Sequence, residues 1–308
     1  MESLKLGDKV VDKDGYPVKV VGVFPQGIKD VYRVTFSDGT SAECCEDHLW
    51  LSKHWTDEHF SVRSLKEMLE YGIKTKYNRN VWQIPNFAGL LDEKNDDLPL
   101  DPYVLGVLLG NGVLASNSPI FHTADTFIVE KVGRLLNSSG MEVAPRLIQG
   151  SREIGYNLVG DKKASKSCPN PVMAALRELN LAGCKSDAKF FPAAYLQASA
   201  DSRLAVLQGL MDTDGHNANN ISVDYCSASL QLVEGVEFLV RSLGGHCTRT
   251  ATKRVKGKPY YRSYIQLDLN PFSLPRKAEG WVGQNLRSVP KTKVIEKVEL
   301  VGQKECQC

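Results

Sequence analysis

No apolar run in the sequence approaches the ~18 residues that cross a bilayer. The N-terminus, MESLKLGDKVV, also lacks the apolar centre of a signal peptide. Neither a membrane span nor secretion is expected, so the chain reads as cytoplasmic, with no membrane partner. Its eight cysteines, at 44, 45, 168, 184, 226, 247, 306 and 308, contain no C-x-x-C pair. That excludes zinc-ribbon spacing, and 308 residues need no disulfide framework to build a core, so reduced thiols and no structural metal are expected. Disorder, collagen and coiled coil are excluded as the main architecture, because 42% hydrophobic and 24% charged is ordinary globular composition. The length suggests two domains. Net charge is small, +2, but unevenly placed: residues 241–308 carry 14 Lys and Arg against 5 Asp and Glu. A basic C-terminal part suits a polyanionic partner.

A long-range internal repeat is the strongest signal. DPYVLGVLLGNG (101–112) and RLAVLQGLMDTDG (203–215) share an apolar run with small residues inside, ending in an amide or acid followed by Gly. Residues 122–143 align with 226–247 at an offset of 104, with Ala124/Ala228, Val129/Val233, Glu130/Glu234, Val132/Val236, Leu135/Leu239, Ser138/Ser242 and Gly140/Gly244 identical. A duplicated unit is expected over about 98–190 and 191–277.

Within each copy the pattern predicts an apolar helix (102–111; 202–213), a strand (113–122; 219–226) and an amphipathic helix (125–138; 229–243) stopped by glycine. Two further strands follow (142–149 and 154–160; 246–254 and 260–269), and a helix at 170–181. Each unit thus reads as α–β–α–β–β. Residues 4–52 carry short β segments broken by Asp14-Gly15 and Ser37-Asp38-Gly39-Thr40, and 60–72 reads as helix. Residues 289–305 read as one or two strands, and a lone ribbon is marginal, so they are expected to join the N-terminal β region.

Helices apolar all round must be buried all round. Gly106 and Gly110, and Gly209 and Thr213, recur four apart and share a face, which lets two backbones approach across a pseudo-two-fold axis. Each helix then ends in Asn111 or Asp214. A carboxylate at the negative end of a helix dipole is poorly placed unless a cation sits nearby. Two such ends side by side would offer two oxygen ligands to hard divalent ions shared with phosphates.

At these residues the chain resembles the LAGLIDADG homing endonucleases, through Val104–Gly112, Leu207–Gly215 and KFFP (189–192), over about 98–280. VYRVTFSDGTSAECCEDHLWL (31–51) resembles the intein block that carries a splicing histidine, here His48, with Cys45 where threonine is usual. KVELVGQKECQC resembles the strand before an intein's C-terminal splice block. The resemblance implies an intein carrying an inserted endonuclease. Its fold would be α+β, a duplicated α-β-β-α-β-β-α core flanked by a partial all-β Hint-like domain. The implied division is 1–95 Hint-like region with linker, 96–190 and 191–280 the two halves, and 281–308 the closing Hint-like strand.

The resemblance implies site-specific double-strand DNA cleavage with two or more Mg²⁺ ions. Asp214 and Asn111 would be metal ligands, with the carbonyls of Gly110 and Thr213 also reaching the ions. Lys189 is the lysine expected to polarise water or stabilise the phosphate, and Lys256 heads the candidates for that role in the second half, with Lys253 and Lys258 competing. Asp212 is assigned to structure. Strands would read DNA in the major groove through Arg146, Gln149, Arg152 and Asn157 on one side. Arg249, Lys253, Arg254, Lys256, Lys258, Tyr260 and Arg262 form the comparable set on the other. Unequal fused halves imply a monomer on a long asymmetric duplex.

Two departures qualify the expectation. Asn111 stands where the family has Asp, so metal binding and cleavage should weaken there. Met1 and Cys308 leave no splice-junction residues, so no splicing is expected and His48 reads as a relic in a structural role. A nucleic-acid-binding protein without cleavage, and a protein-splicing element, are the alternatives.

Overall fold

A computed structural model of the chain describes residues 4–12, 17–86, 97–115, 119–137, 139–146, 154–160, 170–218, 222–250, 252–255, 257–279, 281 and 292–307. The chain divides into two compact units, residues 1–89 with 289–308, and residues 90–288.

The first unit is a β structure. Strands β1 (Lys9–Val11) and β2 (Pro17–Lys19) form a ribbon. Strands β3 (Pro25–Phe36), β4 (Ser41–Cys45), β5 (Leu49–His54), β6 (Ser61–Ser64) and β7 (Trp82–Pro85) join the chain's last strand, β17 (Thr292–Gln307), in one six-stranded sheet. Its order is β4-β3-β17-β7-β5-β6, so the C-terminal strand lies between two N-terminal ones. The β3–β4 turn is the Ser37–Thr40 segment, where Gly39 takes a φ of 77° and Asp38 accepts a hydrogen bond from the Thr40 amide at 3.0 Å. Helix α1 spans Leu65–Tyr71 only. The expected helix over 60–72 is thus half strand, because Val62 pairs with Leu51 and the Ser64/Glu67 capping box starts the helix at 65. Leu65, Met68 and Trp82 pack with Val34, Phe36 and Ile295 as the core of this unit.

The second unit holds the repeat. Its first half runs α2 (Pro102–Asn111), β8 (Gly112–Val113), β9 (Ile120–Thr123), α3 (Thr126–Asn137), β10 (Met141–Arg146), β11 (Ile154–Gly160) and α4 (Pro171–Glu178). The second half runs α5 (Ala193–Leu196), α6 (Ala200–Asp214), β12 (His216–Ala218), β13 (Ser222–Ser227), α7 (Leu230–Ser242), β14 (His246–Arg249), β15 (Lys253–Val255), β16 (Lys258–Gln266) and α8 (Pro275–Ala278). The single strand expected after each apolar helix is a hairpin, which makes each half α-β-β-α-β-β. The turn formers Asn117-Ser118-Pro119 and Asn217-Ala218-Asn219-Asn220 lie in those stretches. The two sheets have orders β10-β11-β9-β8 and β12-β13-β16-β14, with β15 on β16.

Helices α2 and α6 lie at the centre of the unit. Pro102 at the first turn and the Asp101 side chain, which accepts from the Val104 amide at 3.1 Å, start α2. Ser199 caps α6 in the same way. A Cβ on Gly106 would overlap the Val206 carbonyl oxygen, and one on Gly209 would overlap that of Tyr103. The backbones touch where the glycines face each other. Helices α3 and α7 bury matching faces against the sheets, through Ile128/Leu232, Val132/Val236 and Leu136/Val240. Gly140 and Gly244 follow them at φ 63° and 82°, in the left-handed conformation that stops a helix. Asp212 is structural. Buried, it accepts from Tyr103 Oη at 2.8 Å and from the amides of Ser273 and Leu274 at 2.9 Å, joining α2, α6 and the segment before α8.

Candidate active site

The central helices end together. A Cβ on Gly110 would overlap Thr213 Oγ1 and lie 3.4 Å from Asp214 Cγ, so the last turn of α2 meets the carboxylate that ends α6. Asn111 is half-buried and Asp214 exposed, each immediately before a glycine whose extended backbone leads into the next strand.

A buried lysine lies under each helix end. Lys189, 3% exposed, donates to the carbonyls of Leu108 (3.0 Å), Leu109 (2.9 Å), Gly110 (2.9 Å) and Gly112 (2.8 Å). Lys277, 9% exposed, donates to those of Met211 (2.9 Å), Asp212 (2.7 Å), Thr213 (3.3 Å) and Gly215 (2.8 Å). Each ammonium donates to carbonyls at the C-terminal end of a helix and sets positive charge against the negative end of the dipole. Burial lowers the pKa of both lysines to about 8, opposed by the nearby charge of Asp214. Asp212 and Asp125 also oppose the shift at Lys277, while Arg276 adds to it.

This arrangement revises several sequence expectations. Three N–H groups of Lys189 are shared among four carbonyls, so as folded it holds the helix end. The Gly110 and Thr213 carbonyls, expected to reach metal ions, accept from the Lys189 and Lys277 ammonium groups at 2.9 and 3.3 Å. The lysine equivalent to Lys189 in the second half is Lys277. Lys256 lies outside the described residues, and Lys253 and Lys258 sit exposed on the β15–β16 hairpin. Lys277 escaped the sequence comparison because its approach to the end of α6 is a tertiary contact.

The oxygens of the expected ligand residues at the two helix ends are the Asp214 carboxylate and the Asn111 amide. Among the described residues no group of three or more His, Cys, Asp or Glu gathers as a metal cluster. Carboxylate and amide oxygens are hard donors of the kind that divalent cations such as Mg²⁺ and Ca²⁺ take.

Strand parity separates the basic residues. In the second sheet Val223, Tyr225, Cys247 and Ile265 are buried toward the helices, so Asp224, Arg262 and Tyr264 occupy the opposite face. Tyr260, Lys258 and Lys253 continue that side of the hairpin. Arg249 does not. Its register partner is buried Ser263, and it forms a two-pronged bond to the buried carboxylate of Glu237 on α7, at 2.9 and 2.7 Å. Its guanidinium is thus turned toward α7 and away from the face that carries Arg262 and Tyr264. Arg254 pairs with Pro259 on the other parity and donates to the Gly257 carbonyl at 3.3 Å. In the first sheet Arg146 and Asn157 lie opposite Gly155 and Ala144, on the face away from Val143 and Leu158. Gln149 and Arg152 lie outside the described residues.

In the first unit, His48 is half-buried and its ring meets that of Trp50 edge-on at 5.2 Å. Burial lowers its pKa.

No helix among the described residues is long and apolar enough to cross a membrane. In comparison with curated proteins, the chain is 26% identical over 301 residues to the replicative DNA helicase DnaB of Mycobacterium intracellulare. That match takes in 89% of this chain and 45% of the helicase, so the chain spans less than half of that relative. Among solved structures, I-DmoI in complex with DNA and Ca is similar over 59% of this chain and 95% of that one, with 13% identity and a TM-score of 0.40. Full-length DUF199/WhiA from Thermatoga maritima matches over 62% of each chain, at 11% identity and a TM-score of 0.38. Residues 201–269, which include most of α6 and the second sheet, match the LAGLIDADG-like domain.

Proposed function

We propose that this chain is a site-specific endonuclease that hydrolyses phosphodiester bonds in double-stranded DNA. The observation that carries the proposal is the paired helix ends, where Gly110, just before Asn111, meets Thr213 and Asp214, each end backed by a buried lysine. Asp214 would hold a divalent cation, Mg²⁺, with Asn111 offering a weaker oxygen on the other side. A cation held there would neutralise phosphate charge and lower the pKa of a bound water. Lys189 and Lys277 keep the helix ends fixed while the strands that leave them carry the DNA. The helix-free faces of the two sheets, with Arg146 and Asn157 in one half and Lys253, Lys258, Tyr260 and Arg262 in the other, fit a duplex along the pseudo-two-fold unit. Their unequal residues suit a monomer reading an asymmetric target of about two turns.

The first unit is best explained as a Hint-like remnant, with the whole chain derived from an intein. Its last strand closes a sheet begun before residue 86. The similarity to a DnaB protein covers 89% of this chain but 45% of that protein, which supports a self-contained unit carried within a longer polypeptide. His48 is then a splicing relic.

A second reading has its own support: Asn111 removes one of two charges, which suits a protein that binds a DNA target without cutting both strands. The two readings separate in one experiment. Duplexes selected from a random library for binding to the chain are placed in a supercoiled plasmid and incubated with Mg²⁺. Nicked or linear product, lost on chelation, supports the endonuclease. Tight binding with no broken strand supports the second reading.

A further inference from the structure

The two halves differ beside the helix ends. In the first, the strands leaving α2 place Val113 opposite Ile120. At the same register in the second, β12 places His216 opposite Asp224. His216 Nδ1 lies 3.1 Å from Asp224 Oδ1, and Arg262 Nε lies 3.3 Å from Asp224 Oδ2. The Asp224 side chain is 5% exposed and the His216 side chain 67%, so a buried carboxylate holds an open imidazole by one nitrogen. A carboxylate accepts, so Nδ1 carries the hydrogen, and in the neutral ring Nε2 keeps its lone pair for an outside partner. His216 follows Asp214 by two residues, and chain geometry keeps their Cα atoms within about 7 Å.

We propose that His216 touches the attacking water on the Asp214 side, with Asp224 and Arg262 as its positioning residues. The proposal rests on the endonuclease reading. The water donates a hydrogen bond to Nε2, and its oxygen forms a bond to phosphorus. The bond from phosphorus to the 3′ oxygen breaks, that oxygen takes a proton from solvent, and the water's proton passes to solvent. Val113 and Ile120 offer no such acceptor. One strand therefore meets a carboxylate and an oriented imidazole, and the other an amide and two aliphatic side chains.

The test uses the full chain in the Asn111→Asp background on a library-selected duplex, with each strand end-labelled separately. His216→Ala should slow one strand about 100-fold and leave the other, the duplex affinity and the melting temperature unchanged. Asp224→Asn should slow the same strand less, and added imidazole should partly rescue His216→Ala. Equal slowing of both strands, or of neither, or no response to imidazole, overturns the assignment. If no variant, nor Asn111→Asp alone, cuts a duplex that the chain binds, the endonuclease reading falls first and the His216 role with it.

Discussion

Lys189 and Lys277 are spatial counterparts. The carbonyls they hold, Leu108/Met211, Leu109/Asp212, Gly110/Thr213 and Gly112/Gly215, are each 103 positions apart, while the lysines themselves are 88 apart. The symmetry of the core is thus completed by two side chains that reach it along different routes.

Stability should rise with pH in alkaline solution. Burial lowers both lysines from 10.5 to about 8, so between those values the unfolded chain binds more protons than the folded one, and raising the pH favours folding. The penalty is felt in full below about 8. Denaturant unfolding at pH 7.5 and pH 10 should show the increase in the wild-type chain, and a smaller one in Lys189→Met and Lys277→Met. Both variants should also fray the helix ends and reduce cleavage.

Gly106→Ala and Gly209→Ala should each destabilise the second unit by about 1–3 kcal/mol or more, since the added methyl meets backbone rather than a movable side chain. Thermal unfolding followed by circular dichroism reads this directly. Unchanged melting temperatures for both would remove the backbone contact between α2 and α6.

Restoring the carboxylate with Asn111→Asp should raise Mg²⁺-dependent double-strand cleavage of a bound target sharply, and adding Asp214→Asn should abolish it. The parent chain should bind the same target with double-strand cleavage absent or slow. Equal cleavage rates for the parent and Asn111→Asp would show that residue 111 is not a needed ligand.

Arg249 and Lys258 should part company in a salt titration. Lys258→Ala should lower the salt dependence of DNA binding by about one phosphate contact. Arg249→Ala should leave that dependence alone and destabilise the fold instead, because Glu237 is 4% exposed and would lose its main partner. The opposite pattern would return Arg249 to the DNA face.

The sequence exposed those features that repeat or that composition forces. Helices α2 and α6 were legible because an all-apolar run with glycines four apart has one stable use, and α3 and α7 because their apolar periodicity recurs 104 residues later. The hairpins after the central helices were not, since two-residue β8 and three-residue β12 are too short to show alternation. Arg249 was misplaced because charge does not reveal which face of a strand a side chain occupies; only the register against Ser263 does. Lys277 had no signal in the alignment, as its role depends on tertiary approach alone. The expected ligand residues Asn111 and Asp214 end their helices, and the Gly110 and Thr213 carbonyls accept from the two buried lysines, contacts that no sequence pattern signalled.

The register of β17 carries a consequence for the order in which this chain folds. Thr292 lies directly opposite Pro85, so the sheet of the first unit waits for a strand some two hundred residues further along the chain. During synthesis the second unit has all its strands before that partner emerges. Contacts of such long sequence separation slow folding. Until β17 arrives, β3 and β7 have edges without their native neighbour, and a segment able to pair with them is a hazard of aggregation. Early compaction of residues 90–288 would shorten the effective loop and bring Pro85 and Thr292 within reach of each other.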